Sequence, residues 1–144
     1  MVKDNVLSKI RSYIISNYAK LDSYNMRIGE LTYNHKCHLN SVQKVKEDKA
    51  KSVVACVAIN KNNSDEIIVH FINKLKGKNE IYQDNTWGYL YNEYDYYIIK
   101  ELSREEEHNI GIYFSELRKF LIEGNSNGLE RFLLKNEIKN ENLI

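Results

Sequence analysis

The sequence predicts a single α+β domain over residues 1–144, with helices at both ends of the chain and an antiparallel sheet between them. Apolar residues recur at three- and four-residue steps near both ends, which is the spacing of amphipathic helices. The middle of the chain contains short apolar runs between turn residues, which is typical of strands. A chain of 144 residues can bury roughly two-thirds of its unfolded surface, so we expect one core without metals or disulfides.

The first third of the chain predicts two helices joined by an irregular segment. The first helix runs from Asp4 to Leu21, with one apolar face made of Leu7, Ile10, Ile14, Tyr18 and Leu21. Residues 22–36 have no clear period, so we expect a loop there. The second helix runs from Cys37 to Ala50, which places Cys37 at or near its N-terminus. Its apolar side comprises Leu39, Val42 and Val45.

Four strands are predicted in the middle of the chain. The run from Ser52 to Ile59 is almost entirely apolar, which indicates a strand covered on both faces and central in its sheet. The other three strands are Glu66 to Asn73, Glu80 to Asn85 and Glu93 to Glu101. A turn cluster at residues 61–65 and a linker containing Gly77 separate the first three strands.

Two helices are predicted after the sheet. Ser103 and Glu106 have the spacing of a capping box, which marks a helix start. The helix ends at Gly124, and its apolar stripe comprises Ile110, Phe114, Leu117 and Leu121. A shorter helix from Asn127 to about Ile138 follows, with its inward face made of Leu129, Phe132 and Leu133.

Composition and charge exclude several classes of function. The net charge of +1 favours no polyanionic partner, so we expect no binding to nucleic acid. No uninterrupted apolar stretch at the N-terminus approaches signal-peptide or transmembrane length, so we expect a cytoplasmic protein without membrane association. Cys37 lies in a polar segment and Cys56 in an apolar run, which favours two free thiols in a reducing compartment.

Cys37 is the strongest candidate nucleophile. A thiol reacts as its thiolate, and the unsatisfied N–H groups and dipole of a helix N-terminus favour negative charge there. The same N–H groups can bind the oxyanion that forms when a thiolate attacks a carbonyl. The amide of the nearby Asn34 is a candidate side-chain donor for that oxyanion.

His70 and Asp84 are candidates for the base and for the group that orients it. If their strands form a hairpin with a three-residue loop centred on Gly77, directly paired residues have numbers that sum to 154, as 70 and 84 do. Opposed side chains on one face lie about 4.5–5.5 Å apart at Cβ, within reach of a hydrogen bond. Asn85 would point to the other face, so strand parity favours Asp84 as the orienting group.

Less reactive roles for these residues stay open. Cys37 could be an unreactive thiol at a helix start, His70 a packed sheet histidine and Asp84 a turn residue. For Cys56, buried packing is the favoured interpretation, because its neighbours are all apolar.

Metal binding and aromatic recognition are two further interpretations. The side chains that offer metal-binding atoms are those of His35, Cys37, His38 and His70. They lack the paired spacing of common zinc sites, so we expect no metal and no other cofactor. An aromatic cluster follows Asp84, and Trp87 and Tyr89 are the candidates to line a substrate cleft.

Together, the segments KCHLNSV, VHFIN and YQDNTWG resemble the papain-like cysteine peptidase and transglutaminase-like superfamily, particularly its compact bacterial and phage branches. The resemblance covers roughly residues 33–88. It implies a papain-like fold, Cys37 as nucleophile, His70 as general base and acid, and Asp84 as the orienting group. It also implies a hydrolase or acyltransferase acting on a protein or peptide substrate. The alternative is a non-catalytic binding or inhibitor module on the same scaffold, acting between phage and host.

Overall fold

The computed structural model describes residues 2–32 and 34–140, with side chains up to residue 134. Its α+β fold confirms the predicted class. The helices are α1 (Val2–Asn17), α2 (Cys37–Lys46), α3 (Arg104–His108), α4 (Ile110–Gly124) and α5 (Gly128–Asn140). The strands are β1 (Met26–Ile28), β2 (Ser52–Asn60), β3 (Ile67–Lys74), β4 (Tyr82–Asp84) and β5 (Tyr94–Glu101).

The five strands form one sheet in the order β1-β4-β3-β2-β5. All neighbouring pairs are antiparallel except β1 and β4, which are parallel. Strand β2 lies between two partners and buries every residue but its last, which confirms the predicted central strand. The larger apolar core lies between one face of the sheet and the helices, and a smaller core lies on the opposite face around Cys56 and Tyr96.

Strand β1 was not predicted, because residues 22–36 show no period. Met26 is only 5% exposed and pairs with Tyr82 of β4. Just after β1, the chain passes so close to β4 that a Cβ atom on Gly29 would lie 2.2 Å from the Asp84 carbonyl oxygen. Only a residue without a side chain fits there, so Gly29 allows the chain to pass close to the end of β4.

The predicted register of the hairpin between β3 and β4 is wrong by two residues. The observed pairs are Asn73 with Gln83 and Lys74 with Tyr82, whose numbers sum to 156 instead of 154. The connection is longer than predicted because the last backbone hydrogen bond joins residues 75 and 81, which leaves five residues between them. A shift of two residues keeps every side chain on its original face, so the parity argument is unaffected.

The sequence predicts where helices begin better than it predicts which of their faces are buried. Cys37 begins α2, and both hydrogen bonds of the Ser103 capping box form. Leu39, however, is 49% exposed and does not share a buried face with Val42 and Val45. A break at Asn109 also divides the predicted third helix into α3 and α4.

The predicted inward face of α5 is wrong. Leu129, Phe132 and Leu133 are between 51% and 70% exposed, whereas Leu134 is fully buried. The rotation of α5 follows from Glu130, whose carboxylate accepts hydrogen bonds from Asn5 and Lys9 of α1 at 3.1 Å. This contact turns the Glu130 and Leu134 side of the helix toward the domain.

Candidate active site

The position of Cys37 is set by the packing of α2 against the sheet. The preceding residue, Lys36, does not cap α2 with its side chain. The first N–H groups of the helix, beside the cavity that Cys37 lines, therefore have no side-chain cap. One turn later, the Ser41 hydroxyl lies 2.8 Å from the Cys37 carbonyl oxygen and 3.0 Å from the Phe71 carbonyl oxygen of β3. This contact docks the first turn of α2 on β3 and leaves Cys37 only 8% exposed.

His70 and Asp84 form a buried pair on the face that parity predicts. His70 Nε2 lies 2.7 Å from Asp84 Oδ2, and the two side chains are at most 1% exposed. Because an ionised carboxylate only accepts hydrogen bonds, Nε2 carries the donated proton and Nδ1 remains for the thiol. The contact is diagonal instead of directly opposed, since the observed register is shifted.

The Asp84 carboxylate is fixed on every side. Its Oδ1 accepts hydrogen bonds from the backbone N–H groups of Thr86 and Trp87 at 2.9 and 2.8 Å. Its Oδ2 accepts a second bond from the Tyr96 hydroxyl at 2.6 Å. Burial alone raises the pKa of Asp84, but the charge of His70 and these hydrogen bonds hold it below its usual value. Asp84 therefore stays ionised.

Cys37 and His70 ionise together. Burial alone raises the pKa of the Cys37 thiol, but hydrogen bonds from His38 and His70, the charge of His70 and a backbone hydrogen bond from Phe71 outweigh it. They lower the pKa of Cys37 from its usual 9.0 to about 6. Burial alone lowers the pKa of His70, but the charge of Asp84 and hydrogen bonds to Asp84 and Cys37 raise it to about 10. Between these values the pair is a thiolate and an imidazolium.

A stack of rings supports His70. The His70 ring lies 3.7 Å from the Trp87 ring at an angle of 11°, and Trp87 stacks on Tyr94 at 4.2 Å. The Tyr94 hydroxyl in turn donates to Glu66 at 2.7 Å. The stack thus fixes the plane of the imidazole ring, and the hydrogen bond to Asp84 fixes the orientation of the ring within that plane.

A cavity of about 720 Å³ opens beside the thiol. Residues from α2, β3, α4 and the segment after β4 line it, among them Cys37, His38, His70, Trp87, Phe114 and Arg118. Trp87, one of the two residues predicted to line a substrate cleft, lines this cavity. Tyr89 does not line the cavity and is 59% exposed, because Gly88 adopts φ +55° and a 3-10 turn carries the chain away.

Asn34 and Asn85 serve other contacts. The Asn34 amide exchanges hydrogen bonds of 3.0 Å with Asn40, and it does not line the cavity. Backbone N–H groups at the start of α2, which has no side-chain cap, lie closer to the thiol in the chain than the Asn34 amide does. Asn85 donates to Asn73 at 2.9 Å and accepts from the Glu30 N–H, so it lies on the face away from His70.

Tyr96 and His38 are two site residues that the sequence does not predict. Tyr96 comes from β5, three strands away from β4 in the sheet, and no local pattern links it to Asp84. His38 follows Cys37 directly, so its proximity was visible but its effect on the thiol was not. In the described part of the chain, no group of three His, Cys, Asp or Glu side chains is arranged to hold a metal ion.

The described helices include none with the length and apolar character needed to cross a membrane. Comparisons with protein-family models, with curated proteins and with solved structures found no match. The papain-like resemblance of the three motifs therefore stays a prediction from the sequence.

Proposed function

We propose that this protein is a cysteine-dependent hydrolase or acyltransferase that forms an acyl-enzyme on Cys37. One observation carries the proposal. Beside the cavity, Cys37 interacts with His70 and His70 with Asp84, and the pKa of the thiol is lowered while that of the imidazole is raised. The same three residues are those that the papain-like resemblance assigns. A cytoplasmic setting suits this chemistry, because both cysteines are free thiols.

The first half of the reaction forms the thioester. The Cys37 thiolate attacks a substrate carbonyl carbon, and the carbonyl π electrons move to oxygen, where N–H groups at the start of α2 stabilise the charge. When the C=O bond re-forms, the bond to the leaving amine breaks. His70 gives its Nδ1 proton to that amine, so the amine leaves neutral.

The second half regenerates the thiolate. Neutral His70 takes a proton from water or from an acceptor amine, which attacks the thioester carbonyl. The thiolate then leaves and pairs again with the imidazolium. Asp84 stays ionised throughout and stabilises His70 in its charged form. Water gives hydrolysis of a protein or peptide substrate, and an amine gives acyl transfer.

Acylation by p-nitrophenyl acetate tests the proposal without knowledge of the substrate. We expect a burst of p-nitrophenolate and an acetyl thioester on Cys37 by mass spectrometry, with a rate that rises as pH increases through about 6, where the thiol ionises. His70→Ala should abolish the burst. Asp84→Asn should leave a residual burst, because it keeps the shape of the carboxylate but not its charge.

Asn85→Ala is the matched control, because Asn85 follows Asp84 in sequence but contacts Asn73 on the other face. A folded Asn85→Ala protein should acylate like the parent. A parent protein in which Cys37 is not acylated, or in which Cys37→Ala gives the same burst, would contradict the proposed function.

A further inference from the structure

Arg118 is a cationic side chain of the cavity that lies over an aromatic ring. It lies on α4, one turn after Phe114, and its guanidinium carbon is 6.0 Å from the centre of the Phe114 ring. Its Nε atom is buried without a hydrogen-bond partner. Among the residues that the structure describes, Arg118 has no ion pair. Leaving such a donor unpaired is costly, which indicates a partner from outside the chain.

The acidic residues of the same cavity do not serve as that partner. Asp65 pairs with Arg11 at 3.5 Å. Glu66 accepts hydrogen bonds from Asn60 at 2.8 Å and Tyr94 at 2.7 Å. Asp4, on the α1 side, is exposed to solvent. The acidic groups are thus already solvated or bonded, whereas the buried Nε of Arg118 is neither.

His38, the residue after the nucleophile, contacts the same aromatic ring as Arg118. The His38 ring packs edge-on to Phe114 with centres 5.3 Å apart, and the Arg118 guanidinium carbon lies 6.0 Å from the centre of that ring. His38 is already engaged, because its side chain hydrogen-bonds to the Cys37 thiol. Arg118 therefore offers the donor beside Phe114 that the thiol does not use.

We propose that Arg118 binds a carboxylate of the substrate, so that the acyl donor is an acidic peptide. The inference rests on the proposed function, since it concerns the substrate of that site. A guanidinium matches a carboxylate with two parallel hydrogen bonds, and Phe114 gives the adjoining methylene groups an apolar surface. The carboxylate belongs to an acidic side chain or to a peptide C-terminus.

Two alkylating reagents of nearly equal size test the charge preference of the cavity around Cys37. N-(iodoacetyl)-β-alanine carries a carboxylate several bonds away from its reactive carbon, and N-(iodoacetyl)-β-alaninamide carries a neutral amide in the same place. We expect Arg118→Met to lower the ratio of the carboxylate reagent's rate to the amide reagent's rate at Cys37 about tenfold, while the rate of the amide reagent changes less than about twofold. Arg118→Lys should retain part of the preference. Lys119→Met is the matched control, because it removes the same charge from the next residue, which does not line the cavity.

A binding measurement tests the carboxylate site independently of the proposed function. The Nε–H resonance of Arg118, assigned by its loss in Arg118→Met, should shift saturably when N-acetylalanine or N-acetylglutamate α-amide is added. The first ligand carries only a terminal carboxylate and the second only a side-chain carboxylate, so the stronger one identifies the source.

Fast alkylation of Cys37 with an unchanged rate ratio in Arg118→Met would overturn the carboxylate site and leave the proposed function standing. An Nε–H resonance that shifts with neither ligand would also overturn it. If Cys37 resists the amide reagent in the parent, the proposed function fails, and the resonance shift alone decides the carboxylate site.

Discussion

The two cysteines of this protein are both buried, yet their surroundings shift the pKa of each thiol in opposite directions. Cys37, at the start of α2, is 8% exposed, and Cys56, in the middle of β2, is fully buried. The pKa of Cys37 falls to about 6, whereas burial and the charges of Asp84 and Cys37 raise that of Cys56 well above 9.0. His70 lies between them: its ring hydrogen-bonds to Cys37, and its carbonyl oxygen accepts a hydrogen bond from the Cys56 thiol, with sulfur and oxygen 3.3 Å apart.

The difference shows that donors decide whether a buried thiol ionises. Desolvation disfavours both thiolates. At Cys37 it is outweighed by an imidazolium and by N–H donors that favour the charged form. At Cys56 the neighbouring group is a carbonyl oxygen, which stabilises the neutral S–H. One histidine thus activates one cysteine with its ring and keeps the other protonated with its backbone.

The largest expected effect is the difference in labelling between the two thiols. At pH 7 in native conditions, Cys37 should react with iodoacetamide at least about a thousandfold faster than Cys56, which requires the strand to open. Peptide mapping of the labelled protein over time measures both rates. Similar rates at the two positions in folded protein would remove the basis of the comparison.

His70→Gln should produce the next largest effect. The substitution removes the imidazolium charge, so the pKa of Cys37 should rise from about 6 toward 9.0. The thiolate population at pH 7 would then fall about a hundredfold. Ultraviolet absorbance of the thiolate against pH, compared with Cys37→Ala, measures the midpoint.

The same variant has an internal control for folding. Cys56 should stay protected from iodoacetamide in His70→Gln, since its backbone pairing with residue 70 does not depend on the side chain. A midpoint that remains near 6 in the folded variant would show that His38 and the start of α2 ionise Cys37 without His70.

Serine substitutions at the two cysteines compare how much each thiol contributes to the free energy of unfolding. Cys56→Ser should lower the free energy of unfolding by about 1–2 kcal/mol, because it puts a hydroxyl into an apolar strand with one hydrogen bond to the His70 carbonyl. At pH 5, where the Cys37 thiol is neutral because its pKa is about 6, Cys37→Ser should change it by less than about 0.5 kcal/mol, since the hydroxyl can keep the hydrogen bonds to His38 and His70. Urea denaturation measures both values, and an equal loss in the two variants would contradict this contrast.

The smallest effect concerns the stack of Trp87 and Tyr94 on the His70 ring. Tyr94→Phe removes the hydrogen bond to Glu66 but keeps the stacked ring, so it should cost about 0.5–1 kcal/mol of stability. The rate of Cys37 alkylation should stay within about twofold of the parent. A larger fall would show that Glu66 orients His70 through the stack.

Local patterns in the sequence predict features that depend on a few neighbouring residues. The capping box at Ser103, the buried run of β2 and the start of α2 at Cys37 are of this kind. Strand parity belongs with them, because a period of two survives an error of two residues in register. For that reason His70 and Asp84 share a face although the predicted hairpin loop is too short.

Tertiary contacts decide the rest, because they join residues whose spacing in the chain carries no signal. The sequence determines that α5 is a helix, but only the contact of Glu130 with α1 determines which side faces inward. It determines that Cys37 begins a helix, but the Tyr96 bond to Asp84 and the Trp87 stack on His70 come from distant segments. The pKa of a buried group depends on such partners, so the ionisation of Cys37 follows from the fold.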